Sequence, residues 1–215
     1  MARLDDLLAS NRAWSDRVNA DDPDFFLRLS QQQAPKYLWI GCSDSRVPAN
    51  QVIDVAPGKV FVHRNVANVV CPSDLNCLSV IQFAVDVLKV EHIIVVGHYG
   101  CGGVQTVLED HRLGLVDNWL QHVRDVRQKH ATVIDALDAA ERNDRLCELN
   151  AIEQASNVCQ TTVIRDAWMR GQPLTVHAWC YSLCDGRVRD IDLDADSIDS
   201  APSQYDRAIR NLSAP

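Results

Sequence analysis

The sequence lacks any apolar run that approaches the roughly 20 residues needed to cross a bilayer. Its first residues, Met-Ala-Arg-Leu-Asp-Asp, also lack the apolar stretch of a secretory signal, so we expect a cytoplasmic protein. An excess of positive charge is absent too, because 21 basic residues stand against 29 acidic ones, for a formal net charge of −8. That balance argues against nucleic acid or an anionic membrane as a partner.

Internal repeats and low-complexity segments are also missing, and the composition is that of an ordinary soluble protein, with 47% hydrophobic and 23% charged residues. A length of 215 residues fits one globular domain. We therefore predict a single domain over 1–215, made of a helical arm at 1–34, a core at 35–192 and a C-terminal tail at 193–215.

Short apolar runs rich in β-branched residues alternate with helical patterns through the middle of the chain. This alternation predicts an α/β fold, in which helices flank a mostly parallel central sheet and the last strand forms an antiparallel edge. The strands are predicted at 37–40, 60–62, 93–96, 174–181 and 188–191.

Helical spacing of apolar residues predicts the N-terminal arm and one long helix from about 144 to 170, which Gly171 and Pro173 would end. After Asp192 the chain becomes acidic and rich in serine. We expect this C-terminal tail to be loosely held.

Eight cysteines occur in a chain without a secretory signal, so a disulfide framework is not expected and some of them are candidates for metal binding or chemistry. Cys42 follows the first predicted strand, and His98 and Cys101 follow the third. Ligands bind at the carboxyl ends of the strands in an open parallel sheet. Two thiolates and one imidazole leave a fourth position open, which is the pattern of catalytic rather than structural zinc.

A glycine-rich loop after a strand is also found at phosphate sites. Here no Lys-Ser/Thr pair follows the glycines at 97–103, and no G-x-G-x-x-G sequence precedes the helix, so nucleotide binding is weakly supported.

Asp44 and Arg46 are close enough in sequence to form a charge-assisted pair. Asp44 can occupy the fourth metal position and close the site, or it can pair with Arg46 and leave that position to an acidified water. An ordinary loop salt bridge is the alternative.

Three segments together resemble the β-class carbonic anhydrases, with a resemblance that runs over about 14–181. The segments are Cys42-Ser-Asp-Ser-Arg46, His63-Arg-Asn-Val-Ala-Asn68 and Gly97-His-Tyr-Gly-Cys-Gly-Gly103. The resemblance implies reversible hydration of CO2 to bicarbonate and a proton on a zinc ion held by Cys42, His98 and Cys101, with Asp44 and Arg46 as the catalytic pair.

The resemblance also implies a substrate pocket, formed partly by a neighbouring subunit, and self-association to a dimer or tetramer whose N-terminal helices cross between subunits. The matching pocket positions are Gln33, Phe61, Val66, Phe83 and Gly102.

A bicarbonate-regulated bacterial subgroup, type II, has marker residues that match Trp39, Arg64 and Tyr181. A planar anion suits the arginine fork, to which Trp and Tyr add N–H and O–H donors. The alternative is that Trp39 and Tyr181 only fill space. If the resemblance holds, low pH and bicarbonate favour Asp44 on zinc, and alkaline pH favours Asp44 on Arg46.

Two other functions remain open from the sequence. One is a bicarbonate or zinc sensor that has lost catalysis, against which the intact Asp44 and Arg46 pair argues. The other is hydrolysis of a CO2-like substrate such as CS2 on the same fold and metal.

Overall fold

The computed structural model describes residues 4–31 and 33–213, which divide into two compact units with a boundary between Ala34 and Pro35. The first unit contains the predicted arm as two helices, α1 (Asp5–Asp21) and α2 (Phe25–Gln31). The Trp14 ring packs edge-on against Phe26, with ring centroids 5.5 Å apart. None of the described helices combines the length and the apolar character that a membrane span requires.

The second unit is built on a five-stranded sheet in the order β2-β1-β3-β4-β5. The strands are β1 (Tyr37–Cys42), β2 (Val60–Asn65), β3 (His92–His98), β4 (Thr175–Tyr181) and β5 (Val188–Ala195). The first four are parallel, and β5 pairs antiparallel with β4, which confirms the predicted α/β class. Because β2 and β3 lie on opposite sides of β1, the strand order reverses beside β1, where α/β sheets form their ligand crevice.

The helices of the second unit cover and connect these strands. They are α3 (Ala49–Val52), α4 (Leu75–Gln82), α5 (Gly102–Leu108), α6 (Val116–Lys129), α7 (Ala131–Asp135), α8 (Ala139–Gln160), α9 (Thr162–Met169) and α10 (Ser200–Ser213). A 3₁₀ turn (Val66–Asn68) follows β2, and a π-helical turn (Phe83–Val87) follows α4.

Both faces of β1 and β3 are buried, which explains why these strands are continuously apolar in sequence. On one face Leu38, Ile40 and Val95 belong to the main core, against which α8 packs. On the other face Trp39 and Val96 belong to a smaller buried cluster. The central strands are therefore fixed on both sides, as a precise site at their ends requires.

The prediction of one long helix over 144–170 is wrong, because the chain forms α8 and α9 with a break at Thr161. Thr161 has an extended backbone (ψ 148°), and its hydroxyl accepts from the Ile164 amide at 3.4 Å and donates to the Val158 carbonyl at 2.8 Å. A threonine cap thus ends one helix and starts the next without glycine or proline.

The prediction of a loosely held tail is also wrong. β5 continues to Ala195, and α10 packs on β5 and α8 with Ala208 fully buried. The acidic, serine-rich stretch leads from the end of β5 into α10, and there Ser200 Oγ donates to Asp196 at 2.8 Å and the Ser200 amide donates to Ser197 Oγ at 3.1 Å. Residues of this kind cap helices, which is why the composition suggested a loop.

Candidate metal centre

Cys42, His98 and Cys101 converge at the carboxyl end of the sheet. Cys42 is the last residue of β1, His98 is the last residue of β3, and Cys101 is the cap residue immediately before α5. All three are buried, and their ligand atoms lie within 4.8 Å of one another. The crevice beside β1 therefore collects the three residues that the sequence motifs place 56 and 3 positions apart.

The geometry of these three side chains fits a bound metal ion. The two sulfur atoms are 3.9 Å apart, and two thiolates on one tetrahedral ion with bonds of about 2.3 Å would be about 3.8 Å apart. His98 Nδ1 lies 3.2 Å from the Tyr99 carbonyl and donates to it, which leaves Nε2 with the lone pair. That Nε2 atom is buried without a hydrogen-bond partner, as expected of an atom reserved for a metal.

The electrostatics of the two cysteines favour one thiolate before any metal binds. A hydrogen bond from the Cys101 thiol is the main cause that lowers the pKa of Cys42 to about 4, and the lowering influences outweigh burial, which would raise this pKa. The same contact with Cys42, together with burial, raises the pKa of Cys101. The pair thus retains one proton that a metal would replace.

Asp44 lies beside this cluster and is held by Arg46. Arg46 Nε and Nη2 donate to the two Asp44 oxygens at 2.9 and 2.6 Å, and the Arg46 amide donates to Oδ1 at 2.9 Å. These contacts hold the pKa of Asp44 well below its usual range. Asp44 Oδ2 is also 3.7 Å from His98 Nε2, so one ionised carboxylate borders both the guanidinium and the ligand set.

The end of β2 supports the Cys42 side of the site. Arg64 Nε donates to the Cys42 carbonyl at 2.8 Å, and its Nη2 donates to the Asp44 carbonyl. The Asn65 side chain both accepts from the Val69 amide (2.8 Å) and donates to the Val69 carbonyl (2.7 Å). The motif at 63–68 therefore holds the backbone of Cys42 and Asp44.

Helix α8 supplies contacts that the sequence reasoning missed. Asn143 accepts from the Gly100 amide at 3.2 Å, and Asn150 donates to the Ala67 carbonyl at 2.9 Å. α8 also packs directly on β3, since a Cβ on Gly97 would lie 3.0 Å from the Cys147 carbonyl. The available signal was a pair of amides, Asn150 and Gln154, among the mostly apolar buried residues of this helix.

The predicted regulatory residues lie on three strands of the sheet, and Tyr181 on β4 is four register positions farther along than Trp39 on β1. Trp39 and Tyr181 belong to the same small cluster on one face of the sheet, and Arg64 is on the neighbouring strand β2. Trp39 is fully buried, yet its Nε1 has no partner. Gly41 permits this placement, because a Cβ there would lie 2.3 Å from that Nε1.

The predicted pocket residues are distributed over both units. The rings of Phe61 and Phe83 stack with centroids 5.7 Å apart, and Phe83 and Val66 are exposed. Gly102 is the first residue of α5, next to Cys101. Gln33 belongs to the N-terminal unit, where it is exposed.

The fold and site define a class of protein: an α/β metalloenzyme scaffold with a Cys-His-Cys centre at the switch point of its sheet. A sequence model described as carbonic anhydrase matches residues 37–188. A carbonic anhydrase of Emericella nidulans is 47% identical, with 88% of this chain and 84% of that protein covered. The chain belongs to the β-class carbonic anhydrase family.

Solved structures agree with this assignment. The Coccomyxa β-carbonic anhydrase in complex with acetazolamide is 39% identical, with a TM-score of 0.91 and full coverage of both chains. A tetrameric β-carbonic anhydrase of Sordaria macrospora is 41% identical, with a TM-score of 0.84 over 88% of this chain and 96% of that one. The chain is thus an enzyme of the carbonic anhydrase family.

Proposed function

We propose that this enzyme hydrates CO2 reversibly to bicarbonate and a proton, using a zinc ion held by Cys42, His98 and Cys101. The carrying observation is the buried, unpartnered His98 Nε2 beside two sulfur atoms 3.9 Å apart. Two thiolates and an imidazole suit zinc rather than magnesium or calcium. When bound, zinc would supply the Lewis acidity that makes a water molecule acidic near neutral pH.

The protein's own catalytic contribution is the Asp44 and Arg46 pair. Because the guanidinium holds the pKa of Asp44 far below neutrality, the carboxylate is an obligate hydrogen-bond acceptor at working pH. Its Oδ2 is 3.7 Å from His98 Nε2, where it would accept a hydrogen bond from the reacting water and orient that water toward CO2. Arg46 keeps the carboxylate in this orientation.

We also propose that Asp44 exchanges between Arg46 and the metal. Alkaline pH favours the pairing described above, and low pH with bicarbonate favours the carboxylate on zinc. In support, Asp44 Oδ2 is 3.7 Å from His98 Nε2, so a short rotation of the Asp44 side chain would bring the carboxylate to a metal held by His98. Arg64 donates hydrogen bonds to the carbonyls of Cys42 and Asp44. An anion that binds the Arg64 guanidinium would compete for these donors and so change the backbone that carries Asp44.

The regulatory anion would be bicarbonate, bound by Arg64, Trp39 and Tyr181. The unpartnered Trp39 Nε1 supports this proposal, since a buried N–H without an acceptor is costly unless a ligand supplies one.

We propose that the protein forms a dimer, or a tetramer made of two such dimers, in which the N-terminal helices cross between subunits. Its support is the exposed apolar side chains of α1, Leu7 and Leu8 among them, and of Phe83 in the second unit.

We also propose a cytoplasmic location. In support, all eight cysteines are free thiols, as is usual for proteins of a reducing compartment.

Stopped-flow CO2 hydration on the zinc-loaded protein tests the proposal, beside Cys42→Ser and Asp44→Asn. We expect the wild type to bind one zinc ion per chain and to hydrate CO2. We expect Cys42→Ser and Asp44→Asn each to hydrate CO2 more slowly. Zinc binding without hydration at alkaline pH would instead indicate a sensor. Turnover of CS2 without turnover of CO2 would indicate the altered substrate.

A further inference from the structure

One peptide group in the loop between β3 and α5 contacts a metal ligand on one side and helix α8 on the other. This peptide joins Tyr99 to Gly100. Its carbonyl accepts from His98 Nδ1 at 3.2 Å, and its N–H donates to Asn143 Oδ1 at 3.2 Å. Because a peptide group is planar, a contact that fixes its N–H also fixes the direction of its carbonyl. A single rigid group therefore connects Asn143 to His98.

The side chain of Asn143 is held with its oxygen toward this peptide. Its Nδ2 donates to Gln105 Oε1 at 2.7 Å, and its Oδ1 also accepts from Cys147 Sγ at 3.6 Å. Gln105 Nε2 donates in turn to the carboxylate of Glu109. Since an ionised carboxylate can only accept, it fixes the orientation of the Gln105 amide and, through it, that of the Asn143 amide.

These contacts form a chain in which every donor points away from the metal centre. The chain starts at His98 Nδ1–H and passes through the peptide, Asn143 and Gln105 to Glu109. Hydrogen bonds in series polarise one another, so the peptide carbonyl is a better acceptor while the N–H of the same peptide donates. A metal-binding histidine commonly donates its other ring nitrogen to such an acceptor, which fixes the tautomer and the ring orientation.

The opposite tautomer of His98 has a competing acceptor. Asp44 Oδ2 lies 3.7 Å from His98 Nε2, so a proton on Nε2 would be attracted to this carboxylate. That proton would occupy the lone pair with which Nε2 binds a metal. The contact on the Nδ1 side therefore has to be strong enough to keep the proton on Nδ1.

We propose that Asn143 is a positioning residue of the metal centre: by holding the Tyr99–Gly100 peptide, it keeps the His98 proton on Nδ1 and leaves Nε2 free for the metal. This inference rests on the metal site of the proposed function. Loss of the Asn143 oxygen lets the peptide rotate, weakens the contact at Nδ1 and allows the proton to move to Nε2.

The test uses the full chain, prepared without zinc and with isotope-labelled histidine nitrogen, at a mildly alkaline pH where imidazole is neutral. Long-range proton–nitrogen correlation NMR then shows which ring nitrogen of His98 carries the proton. We expect Nδ1 in the wild type and a mixture with the Nε2–H form in Asn143→Leu, which keeps the volume without the acceptor. Zinc affinity, measured by competition with a chromophoric chelator, should fall about tenfold in this variant.

Asn157→Leu is the matched control, because Asn157 lies on the same helix but donates to the Val70 carbonyl. Its His98 tautomer should match that of the wild type. Asn143→Asp is the rescue, because it keeps an oxygen that accepts from the Gly100 N–H, and the Nδ1–H form should return.

An unchanged tautomer in Asn143→Leu, an Nε2–H form in the wild type, or an Asn143→Asp variant that does not recover overturns the inference. Should Asn143→Leu not fold, Gln105→Leu removes the partner that orients the Asn143 amide and should produce a smaller change in the same direction. A wild-type chain that does not bind zinc overturns the metal site of the proposed function, which is a distinct result because the tautomer is measured without zinc.

Discussion

Arg46 binds the Asp44 carboxylate through both oxygens, at 2.9 and 2.6 Å, while one of those oxygens remains 3.7 Å from His98 Nε2. The carboxylate of Asp44 therefore contacts the guanidinium while it borders the Cys-His-Cys cluster. Since the Arg46 side chain is itself mostly exposed, the pairing depends on geometry and bidentate contact more than on burial.

Removal of that guanidinium should release Asp44 toward the ligand set. We expect Arg46→Ala to retain zinc and to lose CO2 hydration about 100-fold, because a misplaced acceptor no longer orients the reacting oxygen. Stopped-flow hydration with metal analysis measures both. Arg170→Ala is the control, since Arg170 forms a comparable exposed pair with Asp86. Wild-type hydration by Arg46→Ala would exclude the pair from the mechanism.

Metal binding should release one proton from the cysteine pair rather than two at neutral pH. Cys42 has a pKa of about 4 because Cys101 donates to it, whereas the pKa of Cys101 is raised. Zinc then displaces only the Cys101 proton, so the affinity should rise about tenfold per pH unit between pH 7 and 8. Calorimetry in buffers of different ionisation enthalpy counts the protons. Release of two would show that Cys42 is a thiol in the metal-free protein.

How far the sequence predicts this molecule depends on where each contact is made. Cys42 and His98 directly follow apolar runs, so the strand pattern alone places them at one edge of a parallel sheet. The contacts of Asn150 are not predictable in this way, because its partner Ala67 is 83 positions distant and is held in a conformation that alanine rarely adopts.

The two errors of secondary structure have a common cause. Thr161 breaks a helical run by a side-chain cap, and Ser200 starts a helix within a stretch that has the composition of a loop. Serine and threonine favour both loops and helix ends, and only the packing of the flanking segments, such as Ala208 against the core, decides which forms.

Glu153 should make the fold sensitive to acid. Burial alone would raise its pKa, but hydrogen bonds from His130, Tyr205 and Lys129 outweigh burial and lower the pKa from 4.5 to about 2. A lowered folded-state pKa stabilises the protein above pH 4.5, and this stabilisation disappears as the pH falls toward 2. Glu153→Gln should therefore reduce the free energy of unfolding at pH 7 by about 3 kcal/mol.

Urea unfolding at pH 7 and pH 3 measures this effect, and the difference between variant and wild type should shrink at the lower pH. Glu148→Gln is the control, because burial raises the pKa of Glu148 and its neutralisation at pH 7 should cost little. Equal losses in both variants would attribute the effect to packing instead of charge.

Trp39→Phe should weaken bicarbonate inhibition. The variant removes an N–H that has no hydrogen-bond partner together with part of a fully buried ring, so no hydrogen bond is lost but the smaller ring should lower stability through the cavity it leaves. Trp179→Phe is a closely matched control, since Trp179 Nε1 is also buried without a partner. Inhibition of CO2 hydration by bicarbonate at fixed pH, with thermal unfolding alongside, measures both. Equal inhibition of wild type and Trp39→Phe would remove Trp39 from the regulatory site, whereas an effect of Trp179→Phe would place the anion farther along the same face of the sheet.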